Sequence, residues 1–247
     1  MQLETILTPA ELPALAHRDW RGTACVVFDI LRATSTFVAA LHHGAEQMIP
    51  VGDIAAAVAR RQQDPSVRLA GERGGVRIPA ALSGGTDFDF GNSPREFTPE
   101  RVRGQTIVST TTNGTRALRA CVGAEAVLAG SFLNLAATAD FLRANHFARV
   151  LLVCAGTLES VALEDVLAAG ALAESLAAAS TRCDATLIAV KTFVELKTDL
   201  AAALGSSRNG RRLLALPELR DDVAFCAQRD VCHLVAAMDA AGALRAV

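Results

Sequence analysis

The sequence predicts an α/β fold, with largely parallel or mixed sheets flanked by helices, because short apolar runs alternate with helix-period segments along most of the chain. Two further observations agree. Polar, hydroxyl-bearing loops follow several of the apolar runs, at the strand ends where open α/β sheets place their ligands. The 247 residues are 51% hydrophobic but only 4% aromatic, and 48 of them are Ala, so small side chains supply much of the apolar surface available to a core.

Taken in order, residues 25–30 read as a buried strand and 33–42 as a helix ending near Gly44. A strand over 47–51, a helix over 54–63 and a short strand over 67–70 follow. Residues 71–99 are rich in Gly and Pro and too long for a simple connection, and such long loops in compact domains are usually functional or disordered. The alternation resumes with strand 106–109, helix 115–122, strand 126–128, helix 135–145, strand 150–153 and helix 163–179. Another strand over 185–190 precedes a helical C-terminal third.

Residues 36–60 echo 115–139 at a constant offset of 79: helix, Gly-Ala-Glu, strand, helix. The echo suggests that the single domain of 1–247 is built from two related α/β lobes, 1–100 and 101–247, around a central cleft. Resemblance between any two βα units is the competing explanation.

Charge and composition exclude several classes. With 24 basic against 26 acidic residues the net charge is −2, and a nucleic-acid binder would want a basic excess and stacking aromatics. Glu4 and Glu11 interrupt the start, so no secretory signal is expected. The most apolar region, 150–180, carries Glu159, Glu164, Asp165 and Glu174, which are expensive in a bilayer, so no membrane association is expected. Six dispersed cysteines without a Cys-x-x-Cys pair read as reduced core thiols and point to the cytoplasm.

Four loops concentrate the chemistry-bearing residues. The first, Asp29 to Thr36, puts an acid directly after a buried strand and Arg32 with three hydroxyls where a helix begins, a setting that suits phosphate. N-capping by Thr34 or Ser35, with Arg32 pairing Asp29, is the structural alternative. In the second, Thr110 to Thr115, hydroxyls and amides can donate to an oxyanion and Gly114 allows close backbone approach, with a plain capped turn as the alternative. The third joins Gly71-Glu72-Arg73-Gly74-Gly75 to Asp87-Phe88-Asp89-Phe90-Gly91-Asn92-Ser93-Pro94, glycines beside charges that suit a loop wrapping a polar ligand and equally a solvated surface loop. In the fourth, Cys154-Ala155-Gly156 precedes Glu164-Asp165 near a helix start, where the helix dipole favours acids and a hard cation could also sit.

Taken together, Val26-Val27-Phe28-Asp29-Ile30-Leu31-Arg32-Ala33-Thr34-Ser35-Thr36, Gly71-Glu72-Arg73, Phe90-Gly91-Asn92-Ser93-Pro94 and Thr111-Thr112-Asn113-Gly114-Thr115-Arg116-Ala117-Leu118 resemble the 2-phosphosulfolactate phosphatase (ComB) family. Gly130-Ser131-Phe132-Leu133-Asn134, Cys154-Ala155-Gly156, Leu163-Glu164-Asp165-Val166 and Ser207-Arg208-Asn209-Gly210-Arg211 continue the pattern in order. The stretch from Ala80 to Asp87 departs from it.

The resemblance implies a Mg²⁺-dependent phosphomonoester phosphatase acting on phosphorylated 2-hydroxycarboxylic acids. On that footing Asp29, Arg32 and Glu164 are the expected catalytic residues. Mg²⁺ is expected on carboxylates drawn from Asp29, Glu164 and Asp165, with Glu72 or Asp89 as a further ligand. Arg32 and the Thr111-Thr112-Asn113-Gly114 loop would hold the phosphoryl oxygens, and Arg73 and Asn92 the carboxylate or sulfonate end. Asp29 is open to two roles, nucleophile or metal ligand. A non-catalytic receptor for small phosphorylated or sulfonated acids is the rival reading, opposed by the surplus of acids beside the anion-holding loops. The Ala-rich C-terminal helix pattern would suit a homodimer.

Overall fold

The computed structural model describes residues 1–176 and 181–247. The predicted α/β alternation is present. Strands β1 (Gln2–Ile6) and β2 (Thr23–Phe28) lead to α1 (Ala33–His42), β3 (Gln47–Pro50), α2 (Ile54–Gln63) and β4 (Arg68–Arg73). The long 71–99 connection holds β5 (Val76–Arg77), and α3 (Pro99–Val102) follows it. Next come β6 (Thr106–Thr110), α4 (Gly114–Ala120), β7 (Ala126–Gly130), α5 (Leu135–Ala144), β8 (Arg149–Cys154) and α6 (Leu163–Ser175). Residues 177–179 of the expected 163–179 helix lie outside the described residues.

The last third contains β9 (Thr181–Arg182), α7 (Asp184–Leu196), α8 (Leu200–Ser206), α9 (Arg208–Leu214) and α10 (Asp221–Cys226), and ends in a hairpin, β10 (Ala236–Met238) and β11 (Leu244–Ala246).

Among the described residues the strands form one mixed sheet in the order β5-β4-β6-β3-β11-β10-β7-β2-β8-β1-β9. The block β4-β6-β3 is parallel, as is β7-β2-β8-β1-β9, and the antiparallel hairpin β10–β11 joins them. Segments 1–100 and 101–247 therefore interleave in one sheet. The two echoed units cross it reciprocally: β2–α1–β3 ends beside β6, while β6–α4–β7 ends beside β2.

Every side chain of β2 is buried because helices cover both faces of the sheet. Ala24, Val26 and Phe28 join a core with α5, α6 and α7, while Cys25 and Val27 join the opposite core with Phe37 and Leu118, as the period of two requires.

Two expectations need correction. Residues 185–190 are not a strand but the first half of α7. Thr186, Ala189, Val190 and Phe193 are buried at helical spacing, whereas Leu187 and Ile188 of the same apolar run are exposed. The C-terminal third is not wholly helical, because β10 and β11 complete the sheet. Strand β1 carries little signal in the sequence, because its alternation is brief and it includes Glu4, which pairs Arg18 at 2.8 Å.

Candidate active site

The loops after β2 and β6 meet at a cleft of about 340 Å³. Asp29, Arg32, Asn92, Thr111, Thr112 and Asn113, expected from the sequence, all line it, together with Glu72. Gly114 makes the meeting possible, since a methyl placed on it would stand 2.6 Å from Ala33 Cβ and 2.7 Å from Asp29 Oδ2. Gly114→Ala should therefore displace the Asp29 carboxyl and lower kcat by about tenfold or more, the scale of a small misplacement at a reacting centre. Steady-state kinetics checks this, and unchanged turnover would deny the close packing a role.

Asp29 is held from several sides. Its Oδ1 accepts the Ala33 amide at 3.2 Å, and Thr34 Oγ1 both accepts its N–H at 3.0 Å and donates to its carbonyl at 3.1 Å. Burial pushes the Asp29 carboxyl up to about 7; the amides of Ala33 and Gly114 oppose the rise, and the Glu72 and Glu164 carboxylates add to it.

Glu164, at the start of α6, is 1% exposed. Its Oε1 accepts Asn209 Nδ2 at 2.7 Å, and its Oε2 is buried without a hydrogen-bond partner. An orphaned carboxylate oxygen beside a second buried acid is a costly arrangement that a bound cation relieves.

Asp165, expected as a third metal ligand, has both oxygens engaged elsewhere. Oδ1 accepts the Ile30 amide at 2.8 Å and Oδ2 the Gly156 amide at 2.9 Å, so the side chain clamps the loops after β2 and β8 together. Burial, with Glu164 and Asp29 adding their charge, raises its carboxyl well above the ordinary range. Among the described residues no three His, Cys, Asp or Glu side chains converge as a metal cage. Glu164, with one oxygen unpartnered, and Asp29 are the two acids whose chemistry would suit a hard cation such as Mg²⁺, which takes one or two carboxylates and keeps several waters.

The remaining charges are arranged differently from expectation. Arg32 does not pair Asp29; it is buried, donating Nη1 to Asp222 Oδ2 at 2.6 Å and Nη2 to Gly75 O at 2.5 Å. Glu72 ties two loops, accepting the Thr112 amide (3.1 Å) and hydroxyl (2.8 Å) on Oε1 and the Gly75 amide (2.8 Å) on Oε2. Thr112 thus spends its donors on positioning its own loop, while the Asn113 side chain stays on the cleft wall.

Arg73 is not among the cleft-lining residues; its guanidinium donates to Glu72 O and to Thr110 and lines a separate groove beside α2. Asp89 is likewise outside the cleft, paired with Arg61 and Arg68.

Thr157, Arg208, Asn209 and Arg212, to which no sequence motif gives a role, also line the cleft. Asn209 Nδ2 also reaches Thr157 Oγ1 at 2.7 Å. The signal available was the polar string 207–212 opening a helix far along the chain.

Fold and cleft together define an α/β protein whose strand-end loops carry buried carboxylates beside a cleft walled by hydroxyl, amide and guanidinium groups. The sequence model of the 2-phosphosulpholactate phosphatase family matches residues 7–240. A probable 2-phosphosulfolactate phosphatase of Synechococcus sp. (strain JA-3-3Ab) is 39% identical over 241 residues, covering 95% of each chain. Those of Gloeobacter violaceus (36% over 246 residues, 99% of this chain and 98% of the relative) and Thermotoga petrophila (38% over 210 residues, 85% and 86%) are similar. The chain belongs to the 2-phosphosulpholactate phosphatase family.

Proposed function

We propose that the protein is a Mg²⁺-dependent phosphatase for phosphate monoesters of 2-hydroxycarboxylic acids, converting 2-phosphosulfolactate and water to sulfolactate and phosphate. The observation that carries this is the Glu164 Oε2 atom, buried and unpartnered on a residue that does not itself line the cleft but is held by Asn209 of its wall and acts electrostatically on Asp29. A receptor for anions alone gains nothing from such an acid.

Asp29 and Glu164 would hold the cation. When bound, it would supply charge neutralisation to the phosphoryl oxygens and make water a stronger nucleophile near neutral pH. Asn113 and Thr111 line the same cleft and would donate their amide and hydroxyl to the transferring group, and the N–H groups of Arg32 not used by Asp222 and Gly75 would add to them. Water adds to phosphorus through its oxygen and gives up one proton. The bond from phosphorus to the C2 oxygen breaks, and that oxygen takes up a proton to leave as the hydroxyl of the product, so that protons balance. Asp165 and Glu72 hold the loops that present these groups.

No helix of the described residues is long and apolar enough to cross a membrane. The six cysteines are free, five of them buried, which supports a cytoplasmic enzyme.

Phosphate release should be measured from 2-phosphosulfolactate, phospholactate and phosphoglycolate, with Mg²⁺ and with chelator. Activity should fall to about 1% or less in chelator and return with Mg²⁺. Full activity in chelator would overturn the cation, and no release from any ester would overturn the phosphatase.

A further inference from the structure

We infer that α9 reads the acid groups of the substrate other than its phosphoryl group: Arg208 and Arg212 together bind the carboxylate and the second acid, a sulfonate or its equivalent. The inference rests on the phosphatase reading for the identity of the ester. It replaces Arg73, whose guanidinium is directed elsewhere, as the source of positive charge for that end.

Arg208 and Arg212 are four residues apart on one helix, so they share a face, and both line the cleft. Both are exposed, and among the described residues neither forms an ion pair, whereas the neighbouring Arg32 is committed to Asp222. Arg212 also leans over the turn between β4 and β5, where a methyl placed on Gly75 would stand 2.8 Å from its Nη2. Two unneutralised guanidinium forks on one wall repel each other and suit paired acid groups, which they can grip bidentately.

The same helix carries Asn209, which holds Glu164 Oε1 and so leaves Oε2 as that carboxylate's open oxygen. Seating the acid groups on α9 therefore also steadies the residue beneath the phosphoryl group. Binding energy from the non-reacting end of the substrate is in this way available at the reacting end.

The class of substrate that follows is a phosphate ester with two further acid groups, favoured over one that has a methyl in place of the second. The test uses the full-length protein with Arg208→Ala, Arg212→Ala and the double substitution, each shown by circular dichroism to keep the wild-type fold. Sulfolactate titrated calorimetrically reads the site without turnover, and its Kd should rise about tenfold for each single change, the worth of one charge-assisted hydrogen-bond pair. In the double variant the ratio of kcat/KM for 2-phosphosulfolactate over phospholactate should fall by about tenfold or more. Arg212→Lys should fall between wild type and Arg212→Ala.

Unchanged sulfolactate affinity, or equal losses on both esters, would overturn the inference while leaving the phosphatase standing. Arginine-dependent sulfolactate binding without hydrolysis of any ester would support the site and remove the phosphatase instead.

Discussion

Asp29→Asn should lower turnover by about 10³-fold or more, the scale on which charge-bearing groups act at phosphoryl-transfer and oxyanion centres. The same substitution should stabilise the cation-free protein. Asn is isosteric, and its amide oxygen still accepts the Ala33 N–H that Asp29 accepts at 3.2 Å. Burial, reinforced by Glu72 and Glu164, raises the Asp29 carboxyl from 3.8 to about 7 in the folded chain. Between those two values the unfolded chain has released this proton and the folded chain retains it. Stability contributed by this position is therefore full below about pH 4, is lost as pH rises towards 7, and stays lost above 7.

Asn cannot ionise, so in chelator the melting temperature of the variant relative to wild type should climb across that window and then level off. The difference should reach about 10 °C, taking a few kcal/mol at ~2–4 °C each for a chain of this size. Thermal melts from pH 4 to 8, paired with kinetics in Mg²⁺, check both halves. Parallel pH profiles would deny the raised carboxyl, and near-wild-type turnover would remove Asp29 from the centre.

The second large effect is structural. Asp222 on α10 is fully buried and gathers Arg32 (2.6 Å), Ser93 Oγ (2.7 Å) and Arg95 (3.6 Å). Asp222→Ala would strand the Arg32 guanidinium, itself 3% exposed, without its counter-charge. Breaking a buried pair from one side costs about 3–5 kcal/mol, so the melting temperature should fall by roughly 10 °C. Removing both charges with Arg32→Met and Asp222→Leu should recover most of that loss, because two apolar side chains of similar volume leave no uncompensated charge. Turnover should remain impaired in the double variant, since Arg32 lines the cleft. Thermal unfolding together with kcat separates the two roles. An Asp222→Ala protein as stable as wild type would mean that Arg32 finds another partner.

The candidate site was legible to different depths in different loops. Asp29, Asn92 and the Thr111–Gly114 loop stand where the sequence places them, because a strand end followed by a helix start is a local pattern. Arg73 follows the same strand-end logic, yet it points towards Thr110, and only the packing of β4 beside β6 shows this. Asp165 and Glu164 are adjacent in sequence and indistinguishable there. In the fold one is spent on two backbone amides and the other keeps an open oxygen. The 185–190 run failed as a strand because a short apolar segment satisfies strand and helix periods alike, and burial against α6 selects the helix.

The α/β class, the family and most of the loops that line the cleft are legible along the chain, since hydrophobic period and short motifs are properties of neighbours in sequence. Tertiary structure alone decided which charges are free and which are spent. It paired Arg32 with Asp222 across 190 residues and brought Asn209 to Glu164 across 45. It also left Arg208 and Arg212 as the guanidinium groups on the cleft wall without an ion pair among the described residues. An ion pair or a bound anion is settled by distance in space, and no spacing along the chain encodes that distance.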